Sequence, residues 1–229
     1  RGRTAALGYN SPMNEIIQAI AVYALPVIFA ITLHEAAHAY AAKYFGDTTA
    51  YSQGRMSMNP LRHIDPLGPI VLPVLMYIFT PFVFGYAKPV PIDFGKLRNP
   101  KKQMLWVAFA GPMANFIMAF GWMLFALLLQ VTGVSEAFPY KVAQAGVFVN
   151  ILMFVFNLLP IPPLDGGRIV TSLLPHKLSY QYSRIEPYGF FIVIGLLVFK
   201  LIDYWFAPMG ALTGGLLGLL IAPFRFLLG

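Results

Sequence analysis

The sequence predicts an all-α membrane protein: a polytopic helical bundle of about five spanning helices, with one re-entrant segment and short β-strand segments near one mouth. Three observations lead there. Of 229 residues, 58% are hydrophobic and 11% charged, with a mean hydropathy of +0.68, whereas a soluble domain carries roughly 25% charged residues. Apolar runs cover residues 14–33, 67–84, 103–131, 142–163, 188–206 and 209–228, each near the ~20 residues that cross a bilayer as a helix. Within them Leu, Phe, Ile and Ala do not alternate with polar residues, which argues against a β-barrel.

There is no cysteine, so there is no disulfide framework and no thiolate metal site. Any metal would be held by His, Asp or Glu. The net charge of +7 fits the basic bias of cytoplasmic loops, and no basic tract with interleaved aromatics points to nucleic acid.

At the N-terminus, residues 1–12 differ in character from the rest of the chain and read as an expression remnant or a disordered N-terminus. Residues 13–229, opening at Met13, read as a single polytopic domain. The first apolar run leads directly into "ITLHEAAHAY" at 31–40. On a helix, His34 and His38 lie four apart on one face and can meet one zinc ion. Glu35 sits beside them, where it can take a proton from a water held there: the H-E-x-x-H arrangement of zinc hydrolases. The plainer alternative is two histidines packing a helix end, with Glu35 paired to a lysine. An ionisable residue within an apolar run is a functional hypothesis by default.

Residues 51–59 and 84–93 combine Gly and Pro with strand-prone residues and are expected as short extended strands. They would either hold a substrate by β-augmentation or simply line the mouth. The run at 67–84 contains Pro69, Pro73 and Pro81 and is expected to enter and leave on one side. The runs at 103–131 and 142–163 are helices. The second is broken by Pro160, Pro162 and Pro163, after which the chain is expected to be extended. Gly166 and Gly167 permit a tight turn and close backbone approach, so Asp165 is the best third-ligand candidate, its alternative being an Asp-Gly loop turn. His63 and His176 are loop histidines and are set aside. The runs at 188–206 and 209–228 complete the spans. Gly210, Gly214 and Gly218 mark close helix packing, within the chain or between protomers.

Depth sets the topology. His34 lies 20 residues into the first helix, about 30 Å at ~1.5 Å per residue. Asp165 lies 24 residues beyond Lys141. The two groups meet if the first helix and the one at 142–163 run parallel and the helix at 103–131 runs against them. Residues 85–102 then share the motif side. Lys43, Arg55, Arg62, Lys88, Lys96, Arg98, Lys101, Lys102, Arg168, Lys177, Arg184 and Arg225 fall on that side, against Lys141 and Lys200 opposite, apart from Arg1 and Arg3 in the first twelve residues. The positive-inside rule makes the motif side cytoplasmic.

These residues resemble the site-2 protease family of intramembrane zinc metalloproteases. The resemblance runs from about Ile28 to Phe199. It rests on "HEAAH" at 34–38, on "NLLPIPPLDGG" at 157–167, which is similar to the family's N-x-x-P-x-P-x-x-D-G signature, and on "AGPMANF" at 110–116. "GRMSMNPLRHIDPLG" (54–68) and "FGYAKPVPID" (84–93) look like the short bacterial and archaeal branch, without an inserted PDZ-like or terminal regulatory domain. The resemblance implies one zinc ion per chain on His34, His38 and Asp165, Glu35 as catalytic acid/base, and Asn157 in substrate handling. Asn115 would contact substrate or oxyanion, or tie helices together. The expected activity is peptide-bond hydrolysis within or near a transmembrane segment. The expected setting is a prokaryotic cell membrane with the site toward the cytoplasm, and homo-oligomer formation is left open. The competing classes are an ion-binding transporter, which has no need of Glu35 and for which no internal repeat is evident, and an inactive zinc scaffold, against which an intact Glu35 counts.

Overall fold

The computed structural model describes residues 12–59 and 89–228. Eight α-helices form among them: α1 (Pro12–Tyr44), α2 (Thr49–Ser52), α3 (Pro100–Val131), α4 (Ala137–Asn157), α5 (Asp165–Leu173), α6 (His176–Ser183), α7 (Gly189–Val198) and α8 (Asp203–Ile221), with 3-10 turns at Phe94–Lys96, Glu186–Tyr188 and Ala222–Leu228. The helices α1, α3 and α4 pack mutually as the central bundle. Around it, α5 lies against α3, and α8 lies against α4 and α3.

Small side chains let the central helices close. Ala30, Ala36, Ala39 and Ala42 of α1 are buried, and residues of this size allow the backbone approach on which membrane helix packing depends. Pro100 starts α3 at a position where its missing N–H has no intrahelical use. The outer faces are apolar and open: Met13, Ile16, Ile17 and Ile20 on α1 and Ile117 and Leu128 on α3 are exposed, a surface suited to lipid. Four helical segments among the described residues are long and apolar enough to cross a membrane: Met13–Tyr44, Pro100–Val131, Ala137–Asn157 and Asp203–Phe226.

The motif end of α1 is built by local chemistry. Gly46, at φ 111, turns the chain back, and the N–H groups of Gly46 and Asp47 donate to the carbonyls of Lys43 and Ala42. Arg98 donates from its side chain to the carbonyls of Tyr44 and Phe45, capping α1 with a cation where its dipole is negative. Residues 89–99 therefore lie at the same end of the bundle as the α1 terminus, and α3 starts there and runs away from it, antiparallel to α1 and α4. The re-entrant run expected at 67–84 lies outside the described residues.

Three expectations change. First, 188–206 is not one spanning helix. Its helical part, α7, has ten residues, about 15 Å at ~1.5 Å per residue against a hydrocarbon core of ~30 Å. Lys200 then takes φ 56, a left-handed turn. A turn at Lys200 and Asp203 spares both groups the cost of a place inside a continuous membrane helix. The Trp205 indole N–H donates to the Val155 carbonyl at 2.9 Å, and Phe206 stacks near Phe156, so α8 starts beside the end of α4. Lys200 thus lies toward the motif end. Arg225, by contrast, shares a wall with Gln130 and Tyr140 at the opposite end. The two cations exchange sides, and among the described residues the basic excess of the motif end persists. Second, no strand forms among the described residues. Residues 51 and 52 finish α2, and 89–93 run without a ladder partner among the described residues, while 84–88 lie outside them. Third, 158–164 is not extended but tightly turned, with Ile161 N–H on the Leu159 carbonyl and Leu164 N–H on the Ile161 carbonyl.

Among the described residues nothing packs closely on the glycine stripe of α8. A Cβ on Gly210, Gly214 or Gly218 would meet nothing within 4 Å among the described residues.

Candidate metal centre

Helix α1 places the His34 and His38 rings on one face, with centroids 4.7 Å apart and planes at 85°. The tight turn after α4 delivers Asp165 as the first residue of α5. Gly166 and Gly167 make this possible: a Cβ at either would overlap the backbone, at the Leu158 carbonyl oxygen or the Pro162 nitrogen. The structure brings the three side chains together. Asp165 Oδ2 lies 3.2 Å from Nε2 of each histidine, and the two Nε2 atoms are 3.1 Å apart. The exposures of His34, His38 and Asp165 are 4%, 5% and 7%.

The hydrogen bonds behind the rings settle their tautomers. His38 Nδ1 is 2.7 Å from the Val107 carbonyl, which only accepts, so Nδ1 carries the proton. His34 Nδ1 is 2.6 Å from Asn115 Oδ1. The Asn115 amide nitrogen is spent on the Ala30 carbonyl at 3.1 Å and on Asn150 Oδ1 at 3.0 Å, and Asn150 donates in turn to the Gly146 carbonyl at 2.8 Å. This relay orients each amide, so His34 Nδ1 is also a donor. In the neutral rings both Nε2 atoms then turn lone pairs toward each other and toward the buried Oδ2 of Asp165. Three converging acceptors repel unless a cation lies between them. Two ligands ~2.0–2.1 Å from a tetrahedral zinc sit about 3.3 Å from each other, close to the spacing seen, and the His/His/Asp donor set with proton-bearing Nδ1 partners is that of zinc sites.

Helix α3 closes one wall. A Cβ on Gly111 would overlap His38 Nε2 and lie 2.7 Å from His34 Cε1. Glu35 is half-buried beside the group, its Oε2 accepting the Val90 N–H at 2.7 Å. Asn115 is fully buried and faces His34 rather than an open cleft. Asn157 is half-buried at the end of α4 and donates to the Met153 carbonyl of its own helix at 3.0 Å. His176 stands apart, exposed in the wall of a cleft of ≈ 630 Å³ with Lys101 and Arg168; His63 lies outside the described residues. The Val107 carbonyl, the Val90 N–H and Asn150 were missed from sequence. The two backbone groups leave no mark there. Asn150, a carboxamide inside an apolar helix, does.

The model of peptidase family M50 matches residues 139–199, which include the Asp165 turn. YwhC of Bacillus subtilis, described as a candidate zinc metalloprotease, is 36% identical over 190 residues, covering 81% of this chain and 84% of its own. The chain belongs to peptidase family M50, the site-2 proteases. Rip2 of Mycolicibacterium smegmatis, similarly described, is 30% identical over 184 residues, 78% of this M50 chain and 67% of the relative. The zinc metalloprotease MJ0392 of Methanocaldococcus jannaschii is 29% identical over 84 residues, 37% and 24% of the two chains. No solved structure matches. Membership makes the protein a zinc metallopeptidase, and its apolar helices make it an integral membrane protein.

Proposed function

We propose that this M50 peptidase cleaves peptide bonds within or near the transmembrane segments of membrane-protein substrates, with one zinc ion per chain on His34, His38 and Asp165. The observation that carries the reading is the convergence of three buried ligand atoms beside a half-buried glutamate. Bound zinc supplies a Lewis acid that polarises the scissile carbonyl and lowers the pKa of a water. Glu35 takes the proton of the attacking water and passes it to the leaving amine. Asn115 positions His34 by accepting its Nδ1–H, instead of touching substrate. Asn157, part-exposed at the head of the turn that carries Asp165, serves substrate binding. The basic excess of the motif end supports a cytoplasmic opening of the site in a prokaryotic membrane.

The test is cleavage of a fluorescent transmembrane peptide by purified protein in detergent, with zinc measured on the same samples. Glu35→Gln keeps the size of the side chain but not its basicity. It should retain zinc and lose at least the ~10²–10⁴-fold that general acid–base catalysis contributes. His34→Ala and Asp165→Ala should lose zinc. Full activity in Glu35→Gln would remove Glu35 from the acid/base role and end this mechanism.

A further inference from the structure

Residues 89–91 read Pro-Val-Pro. Proline has no N–H, so Val90 carries the one backbone donor of the three. That donor is 2.7 Å from Glu35 Oε2, across 55 positions of sequence. The contact is well held. The Val90 side chain is buried among Ala39, Ala50 and Met56, and three residues on, the Asp93 N–H donates to Asp47 Oδ2 at 2.7 Å. Residues 90–93 thus form a strap across the end of α1, fastened to a carboxylate at each end. The flanking prolines narrow the backbone further: Pro91 disfavours the helical region for Val90, and Pro89 and Pro91 have fixed φ. Fewer backbone conformations are therefore open to the strap before Glu35 meets the Val90 N–H.

We propose that the Val90 N–H is a positioning donor for Glu35. Accepting this bond on Oε2 fixes the carboxylate rotamer and leaves the other oxygen to receive the proton of the attacking water. The inference rests on Glu35 being the acid/base. A charge-assisted bond to a restrained donor suits the task, because a base misplaced by ~1 Å loses on the order of 10²-fold in rate. It also changes the part given to this stretch. With the N–H groups of Val90 and Asp93 turned onto carboxylates and Pro91 between them lacking one, the strap has few donors left for a substrate strand. Its work is directed inward.

The experiment removes the N–H without removing the residue. In the full-length protein, Val90 is replaced by its α-hydroxy acid, which turns the Pro89–Val90 amide into an ester. Val90→Pro does the same within ordinary chemistry, and Val90→Ala keeps the N–H while trimming the packing. The ester and Val90→Pro should lose about 10–100-fold in kcat, with KM within about twofold and zinc content unchanged. Val90→Ala should lose severalfold less. The ester, a one-atom change, decides the matter if Val90→Pro does not fold. An ester as fast as the wild type, or losses equal in Val90→Ala and the ester, would overturn the proposal. So would an ester faster than the wild type, since the contact would then be a brake. The Glu35→Gln control separates the two readings: an inactive Glu35→Gln beside a fully active ester rejects only the role of Val90, whereas an active Glu35→Gln rejects the peptidase mechanism itself.

Discussion

At the scale of single residues, the site is decided by which atoms carry protons. Asn115 illustrates this. Its carboxamide looks like a substrate contact in sequence, yet it is wholly buried and divides its bonds among α1, α4 and its own imidazole partner. Removing it should free His34 to rotate or to protonate Nε2. Asn115→Ala is expected to bind zinc about 10–100-fold more weakly, the usual cost of losing such a partner behind a metal ligand, while Asp165 and His38 stay in place. Competition with a chromophoric chelator measures this directly; unchanged zinc affinity would reduce Asn115 to a helix tie.

At the scale of elements, the joints at the motif end are made by single polar side chains. Asp47 is buried after α1. It accepts the Thr49 N–H at 2.9 Å on one oxygen and the Asp93 N–H at 2.7 Å on the other. Burial by itself would raise its pKa, but the bonds from Thr49 and Asp93 and the nearby Lys96 ammonium outweigh it and hold the carboxyl below its ordinary value. A carboxyl depressed in the folded state stabilises the fold above its unfolded pKa of ~3.9 and loses that contribution as pH falls through the folded value. Asp47→Ala leaves two N–H groups short of partners, at about 1–3 kcal/mol each if they stay buried. The expected result is a lower melting temperature at pH 7, with the gap from wild type narrowing below about pH 4. A gap that stays constant with pH would mean the charge on Asp47 is immaterial. The same residue fastens the strap, so its loss should also slow cleavage.

At the scale of the whole molecule, the correction at 188–206 changes the topology. With α7 too short to cross, α8 runs from the end of α4 to the far end of the bundle and leaves Arg225 near Gln130 and Tyr140. Single cysteines at Lys96 and Arg225 can be labelled with an impermeant maleimide in oriented vesicles, since the chain has no native cysteine. They should react from opposite sides; reaction from the same side would restore a fifth span. Gly214 is exposed and Gly210 and Gly218 are half-buried, whereas the buried positions of α8 are Thr213, Leu217 and Ile221.

The solvent, the helices and the chemistry were legible in the chain before it folded. Low charge and long apolar runs leave no other class of fold, because unsatisfied backbone in hydrocarbon is too costly. The four-residue spacing of His34 and His38 is local helical geometry, legible in any helix. Asp165 was legible through proline and glycine, which dictate where a helix stops and how near another backbone can come. Packing between distant segments settled what lies behind and beside these residues. The Val107 carbonyl and Val90 N–H are backbone groups present at every position, so sequence does not distinguish them. The place of Asn115 depended on which helix its amide met. The break after α7 was hidden because a mean over an apolar window is blind to one lysine in a left-handed turn. Side-chain identity and local spacing reside in the chain; proton placement, second partners and the direction of a short helix depend on contacts between residues far apart in it.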